Sequence, residues 1–529
     1  MEGSQIAAGP PTRDHGSENF PVASLLLPAA MRGKVLAFYR FVRTADDIAD
    51  SPDLTASDKL RRLDALEATA DAALAEVGTA EARAMLSAFR QDVSQRRYAD
   101  WAELEAYCAR SAGPVGRMLL RVHGESEEAH RASDALCTAL QVLNHLQDLV
   151  PDRDALDRVY LPTPWMDLAG GEAAFFAPGN TQRRAVLDAA LDRVEASLEM
   201  AAPLPRLLRT RLRHQAAVTL ALAWKLMARL RDADPVLRRV ALSRSEFAAA
   251  FTRLALPAPS DAAVVRHRVA RARSSFARGM AVLKGERRRA LFAVYGFCRA
   301  VDDIADAAMP LTEKRRCLAT WRRKLDVPDC ALSAELAWAC HAYHLPVSEC
   351  TVMIDGMETD AGGRVRIADT AALDLYCRRV AGSVGAMAVR IFGAPGAEEF
   401  GLALGRTFQL VNILRDAEED AALDRVYVPR DLLVARGVTT DEAAAIVAHS
   451  GFAGCCAELA NWAVQGFARA EAELSRHDAD ALKPARVMMW AYRRLLKRML
   501  AQGFEAPRRR PRLTRGEKLR MALLAVTPS

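Results

Sequence analysis

The sequence predicts an all-α protein built from two tandem copies of one domain. Three observations carry that expectation. Alanine and leucine dominate, β-branched residues are sparse, and strand-like alternation is rare. The 529 residues exceed what one compact core holds. One acidic stretch also occurs twice, as Tyr39-Arg-Phe-Val-Arg43-Thr-Ala-Asp46-Asp47-Ile-Ala-Asp50 and as Tyr295-Gly-Phe-Cys-Arg299-Ala-Val-Asp302-Asp303-Ile-Ala-Asp306.

In chain order, residues 1–16 are expected to be disordered and lack the apolar run of a secretory signal. A first domain is expected over 17–253. Pro257, Pro259 and Ser260 mark a linker at 254–261. A second domain follows over 262–505, and a basic tail over 506–529. Landmarks repeat about 260 residues apart. Tyr107-Cys-Ala-Arg-Ser-Ala-Gly113-Pro-Val-Gly116 returns as Tyr376-Cys-Arg-Arg-Val-Ala-Gly382-Ser-Val-Gly385. Gln141-Val-Leu-Asn144-His-Leu-Gln-Asp148 returns as Gln409-Leu-Val-Asn412-Ile-Leu-Arg-Asp416. Arg158-Val-Tyr160-Leu-Pro162 returns as Arg425-Val-Tyr427-Val-Pro429. A period this long is a duplicated domain and not a solenoid.

Bulk properties exclude little. Apolar residues make up 51% and charged residues 26%, an ordinary globular balance. A net charge of +7 suits an anionic substrate or an anionic membrane surface and does not call for nucleic acid. The ten cysteines lack zinc-ligand spacing and read as reduced residues of a cytoplasmic protein. No uncharged run is long enough to span a bilayer. The basic segment Arg508-Arg-Arg510-Pro-Arg512 raises the alternative of peripheral contact with the inner membrane surface.

The chemistry lies in the acidic pairs. Asp46/Asp50 and Asp302/Asp306 stand at i and i+4, on one helical face. Each follows a run that should be buried (Phe38, Tyr39, Phe41, Val42; Phe292, Tyr295, Phe297). Asp148/Asp152 and Asp416/Asp420 repeat the spacing, with Asn144 and Asn412 one turn upstream. Hard carboxylate ligands in this arrangement suit Mg²⁺ shared with a substrate diphosphate. Arg43, Arg299, Arg158 and Arg425 supply basic partners suited to phosphate. Gly113/Gly116 and Gly382/Gly385, expected inside helices, invite close approach by a chain-like substrate or by another helix.

Together these motifs resemble the squalene/phytoene synthase family, over nearly the whole chain and twice. The resemblance implies two isoprenoid-synthase-type helical domains, each with a central cavity, and Mg²⁺-dependent joining of prenyl diphosphates. Two or three ions per half are implied, held by Asp46, Asp50, Asp148 and Asp152, and by Asp302, Asp306, Asp416 and Asp420. Tyr39, Arg43, Asn144, Arg158 and Tyr160 fall on substrate-binding positions of the first half. Ser275, Tyr295, Arg299, Asn412, Arg415, Arg425 and Tyr427 do so in the second. Tyr107 and Tyr376 fall on a cavity tyrosine and are the candidate catalytic residues.

The halves also differ. Glu18-Asn-Phe-Pro, Phe89-Arg-Gln-Asp-Val93 and Asn144-His-Leu-Gln-Asp148 make the first similar to bacterial hydroxysqualene synthases. Ser274-Ser-Phe276, Ile354-Asp-Gly-Met-Glu358 and Asn412-Ile-Leu-Arg-Asp416 make the second similar to presqualene diphosphate synthases. Gln147, standing where the second half has Arg415, fits a site handling one diphosphate fewer. Farnesyl diphosphate and presqualene diphosphate are the implied substrates. NADPH is not expected, since no nicotinamide-binding fingerprint is present, and a downstream squalene-forming oxidoreductase is an implied partner. The alternatives are a phytoene or dehydrosqualene synthase-type carotenoid enzyme, or one catalytic half with a non-catalytic or membrane-docking partner half.

Overall fold

The computed structural model describes residues 29–75, 77–251, 259–271, 283–505, 510–514, 516–517 and 520–521. The expected disordered segment 1–16, Ser275, most of the 254–261 linker and most of the basic tail lie outside these residues. The chain divides into two compact units: Met1–Ser260 with Ala307–Pro310, and Asp261–Asp306 with Leu311–Ser529.

Helices make up almost all of the regular structure. The longer ones of unit 1 are α1 (Ala29–Asp50), α2 (Ala56–Leu74), α3 (Thr79–Ser94), α4 (Trp101–Ser111), α5 (Gly113–Val122), α6 (His130–Gln147), α7 (Leu149–Leu156), α8 (Arg183–Ala201), α9 (Leu212–Asp232) and α10 (Arg244–Phe251). Unit 2 has α11 (Asp261–Arg271), α12 (Gly285–Asp306), α13 (Leu311–Asp326), α14 (Ala331–Tyr343), α15 (Val347–Ala361), α16 (Thr370–Cys377), α17 (Ser383–Phe392), α18 (Glu398–Ala422), α19 (Ser450–Leu474) and α20 (Lys483–Gln502). No helix among the described residues is long and apolar enough to cross a membrane. None of the ten cysteines, all among the described residues, forms a disulfide.

The duplication reaches into local detail. Asp100 caps α4 by accepting from the Glu103 amide (2.8 Å), and Asp369 caps α16 through the Ala372 amide (2.8 Å). These caps start the helices that carry Tyr107 and Tyr376. The acidic helices are placed by their apolar stripes. On α1, Phe38, Phe41, Ala45 and Ala49 are buried against Leu63, Leu86 and Met118. On α12, Leu291, Val294, Phe297, Val301 and Ala305 are buried at the same 3.6-residue period.

The glycines serve helix packing. A methyl group on Gly385 would collide with the Gly401 carbonyl, and one on Gly401 with the Gly385 carbonyl, so α17 and α18 touch backbone to backbone. A methyl on Gly116 would strike Ser133 and Cys137 of α6. Gly113 opens α5 ahead of Pro114 and so is not in a helix interior, contrary to the sequence expectation. Unit 1 departs from that expectation in a second way. Pro151 has no amide hydrogen, and its ring crowds the carbonyl four residues back. The helix therefore breaks at Asp148, between α6 and α7, whereas Asp416 and Asp420 share the unbroken α18.

Candidate active site

Each first acidic pair is held by arginines. In unit 1, Arg43 sits between Asp46 (2.7 Å) and Asp47 (2.8 Å). In unit 2, Arg299 sits between Asp302 and Asp303, at 2.8 Å from each. Arg158 and Arg425, which sequence places beside the second acidic pair, reach the first. Arg158 Nη1 meets Asp50 at 2.6 Å, and Nη2 donates to the Asp92 carbonyl at 3.0 Å. Arg425 Nη1 meets Asp306 at 2.6 Å, and Nη2 donates to the Asp360 carbonyl at 3.2 Å.

A left-handed turn aims these two arginines. Asp157 (φ 51°) and Asp424 (φ 58°) precede them, and aspartate tolerates this region better than most residues. Arg97 and Arg366 clamp those turns by pairing with the Asp157 and Asp424 carboxylates. In unit 2 the short parallel strands β1 (Val365–Arg366) and β2 (Arg425–Val426) fasten the segment. In unit 1 a single bridge, Tyr98 to Pro162, does the same. Lys59 and Lys314 complete the pattern by donating to the Ala49 and Ala305 carbonyls, each at 2.8 Å.

The second acidic pairs end the helices α6/α7 and α18. Asp148 pairs with Arg239 at 2.8 Å. Asp416 pairs with Arg415, and with Arg510 at 2.9 Å. Arg239 and Arg510 occupy matching places late in each copy, and sequence reading missed both. The signal was present: Ser243-x-x-Glu246 and Thr514-x-x-Glu517 follow them and form equivalent hydrogen-bonded turns. At least one arginine of the expected basic tail thus faces its own unit.

Half-buried carboxylates converge at the site. Burial, then Asp50, push Asp46 up to about 7, against the pull of Arg43. Burial, then Asp148 and Asp50, push Asp152 up to about 7. Arg158 links the two acidic pairs of unit 1: its amide donates to the Asp152 carbonyl at 3.1 Å while its Nη1 meets Asp50 at 2.6 Å. In unit 2, Asp302 and Asp420 are each pushed to about 7, by burial and then by Asp306 and Asp416 respectively. Between the pairs lies a buried acid that sequence reading did not single out as a site residue. Tyr107 donates to Asp92 at 2.8 Å. Tyr376 and Tyr427 donate to Asp360 at 2.9 and 2.7 Å. Tyr160 instead lies face to face on His145, 3.5 Å between ring centres.

An apolar cavity of unit 1 is walled in part by the helices that carry this cluster. Its walls include Val35, Phe38, Tyr39 and Val42 of α1, Gly116, Met118 and Leu119 of α5, Leu136, Cys137 and Leu140 of α6, and Leu212 and Ala216 of α9. One turn beyond Val42 on α1 comes Asp46, and one turn beyond Leu140 on α6 comes Asn144, half-buried. In unit 2, Tyr295 is half-buried one turn before Arg299, and Asn412 bonds Gln409 at 3.2 Å.

The donor set fits a hard divalent cation. Carboxylates whose charge is opposed by burial and by each other gain most from an added cation. Among the described residues no three acidic, histidine or cysteine side chains form a ready-made cage. Mg²⁺ usually takes one or two carboxylates and completes its shell with water and substrate phosphate.

The sequence model of the squalene/phytoene synthase family matches residues 13–246 and again 269–517. The chain belongs to the squalene/phytoene synthase family. Among its relatives, a presqualene diphosphate synthase from Rhodopseudomonas palustris is 38% identical over 257 residues, 47% of this chain and 92% of that protein. A hydroxysqualene synthase from Sinorhizobium fredii is 41% identical over 256 residues, 44% of this chain and 86% of that protein. A phytoene synthase from Thermus thermophilus is 33% identical over 270 residues, 47% of this chain and 88% of that protein. Squalene/phytoene synthase relatives of either first kind thus span about half of this chain.

Proposed function

We propose that the chain is a bifunctional, magnesium-dependent prenyl transferase and lyase. Unit 2 joins two farnesyl diphosphates head to head into presqualene diphosphate. Unit 1 converts that product with water into hydroxysqualene. One observation carries the reading: both units keep two acidic pairs, the first of each locked by an equivalent buried arginine, Arg158 or Arg425. A non-catalytic half would have no reason to retain a cluster of mutually repelling, mostly half-buried carboxylates.

In unit 2, Arg299 and Arg425 fix the first acidic pair, and Arg415 and Arg510 stand at the second. These cations draw a diphosphate to the mouth of the site. As the bond to diphosphate breaks, the double bond of a second farnesyl chain attacks the allylic cation, and proton loss closes a cyclopropane. In unit 1 the apolar walls from Val35 to Ala216 take the prenyl chains and keep bulk water out. Diphosphate departure there is followed by rearrangement and capture by water. Gln147 supports this division. Where Arg415 offers charge beside the second acidic pair, Gln147 is buried and donates to the Val240 carbonyl at 2.6 Å. Asp46, Asp50, Asp148 and Asp152, with their unit 2 counterparts, would hold Mg²⁺, which when bound offsets the charge of the departing diphosphate. Tyr107 and Tyr376 orient the central Asp92 and Asp360.

The experiment is a product analysis. The purified chain, with farnesyl diphosphate and Mg²⁺ but no NADPH, should yield hydroxysqualene. Asp302→Ala should stop all products, and Asp46→Ala should accumulate presqualene diphosphate. Phytoene or dehydrosqualene as product would move the chain to the carotenoid branch. Hydroxysqualene formed undiminished by Asp46→Ala would overturn the assignment of the two units.

A further inference from the structure

The two copies share a backbone plan, so side chains that differ around the central acid mark where their chemistry parts. In unit 2 the acid is saturated: both Asp360 oxygens receive a tyrosine hydroxyl. In unit 1, Tyr107 satisfies Oδ2 of Asp92, while Oδ1 is buried without a partner. Tyr160, the counterpart of Tyr427, is drawn onto the ring of His145. The Tyr98 hydroxyl is likewise buried without a partner, and its ring lies 5.7 Å from those of both Tyr107 and Tyr160. Counting from the shared Arg97/Arg366 and Asn144/Asn412, unit 2 has Ile367 in place of Tyr98 and Ile413 in place of His145, both buried.

Buried polar atoms almost always have partners, and an internal water needs two to four of them. Asp92, Tyr98 and His145 are 3%, 2% and 8% exposed. His145 Nε2 lies 3.2 Å from the Gln141 side-chain nitrogen, so it accepts from that amide and Nδ1 carries the hydrogen. The cluster therefore offers one free acceptor (Asp92 Oδ1) and two donors (Tyr98 Oη, His145 Nδ1). It stands beside the first acidic pair, since Arg158 bonds both Asp50 and the Asp92 carbonyl.

We propose that Asp92, Tyr98 and His145 hold a buried water in unit 1, and that this water captures the carbocation. The inference rests on the functional reading above and says which residues set its outcome. A water that accepts from His145 Nδ1 and donates to Asp92 Oδ1 and to the Tyr98 oxygen, a hydroxyl being acceptor as well as donor, keeps an oxygen lone pair for the cation. That pair forms the new C–O bond, one O–H bond breaks, and its proton passes to the released diphosphate. Unit 2, with two isoleucines and a saturated Asp360, offers no such seat, and its cation is quenched by proton loss from carbon. Tyr98 and His145 are positioning residues in this scheme.

The test reads the ratio of alcohol to olefin among products, using the full chain, presqualene diphosphate and Mg²⁺. Wild-type protein forming hydroxysqualene establishes the underlying reading; wild-type protein forming no alcohol removes that reading, and this inference with it. Given wild-type alcohol, Tyr98→Ile/His145→Ile should lower the ratio about ten- to a hundredfold. Tyr98→Phe, which removes one hydroxyl and keeps the ring, should lower it by a smaller factor. A general structural defect reduces all products together and leaves the ratio unchanged, and an unchanged ratio overturns the proposal. So does complete loss of product in both variants, because water capture follows diphosphate release.

Discussion

The charge cluster makes a prediction that links stability to function. No arginine closes on Asp152 among the described residues as Arg158 closes on Asp50 and Arg239 on Asp148. Its carboxyl is pushed from 3.8 to about 7 by burial and by Asp148 and Asp50. The folded form therefore keeps a proton that the unfolded chain releases at lower pH. Folding stability must fall as pH rises through this window. The penalty is absent below about pH 4, where both forms are protonated, and complete above about pH 7. About three pK units would amount to about 4 kcal/mol at full strength. Asp152 is only half-buried, and solvent screening leaves about 1–2 kcal/mol. Asp152→Asn, which keeps the shape and removes the charge, should raise the melting temperature of unit 1 by about 2–6 °C at pH 8 without metal. About half of that gain should remain near pH 5.5. The same variant should lose most of the stabilisation that Mg²⁺ with inorganic diphosphate gives the wild type, and with it the conversion of presqualene diphosphate. Scanning calorimetry at both pH values, with and without Mg²⁺ and diphosphate, reads all of this. A lower melting temperature for the metal-free variant at pH 8, or a larger gain at pH 5.5 than at pH 8, would refute the electrostatic reasoning.

Other consequences can be checked in the same preparations. Asp420→Asn should act on unit 2 as Asp152→Asn acts on unit 1, since its carboxyl is also pushed to about 7. Arg158→Met removes the buried partner of a half-buried carboxylate and should cost about 2–3 kcal/mol by urea unfolding, with Arg158→Lys recovering little because one ammonium cannot occupy the separate positions of Nη1 at Asp50 and Nη2 at the two carbonyls. Gly385→Ala should cost about 1–3 kcal/mol through the collision with the Gly401 carbonyl. Gly33→Ala, on α1 with open space around it, should instead add about 0.5–1 kcal/mol, which thermal melts would show. Removing divalent ions with EDTA should stop both product-forming steps, and added Mg²⁺ should restore them.

Much of this arrangement was legible because it is local. Two aspartates four apart on a helix share a face whatever the tertiary fold, and the stripe from Phe38 to Ala49 says which face is turned inward. The repeat made the same inference twice. What escaped was long-range or depended on a single dihedral. Arg158 stands six residues after Asp152, and proximity in sequence suggests the second acidic pair as its partner. It turns to Asp50 because Asp157 takes a left-handed conformation and Arg97 holds it there. Neither fact follows from helical periodicity. The break at Asp148 was foreshadowed by Pro151, but the i, i+4 spacing of the aspartates masked it. Arg239 lay near the end of the first domain, beyond any motif, and Arg510 in a stretch read as a tail, where composition alone says nothing about what an arginine meets.

The duplication supplies an argument that a single domain could not. Where both copies keep a contact across more than a hundred residues, as with Arg158–Asp50 and Arg425–Asp306, we infer that the contact serves what the copies have in common: drawing diphosphate away from a prenyl chain. Where the backbone plan is kept and the contact is not, the difference serves what separates them. By that rule the differences at the central acid outweigh those on the surface. In the proposed scheme Asp360, its oxygens taken by two hydroxyls and with isoleucines standing where unit 1 has Tyr98 and His145, leaves the cation to be relieved by loss of a proton from carbon. Asp92, with one oxygen unmet and a tyrosine and a histidine beside it, cannot be equally dry without leaving buried polar atoms unsatisfied, at a cost of about 1–3 kcal/mol each. One ionisation chemistry can then give a cyclopropane in one unit and an alcohol in the other, from a handful of side chains around a single carboxylate.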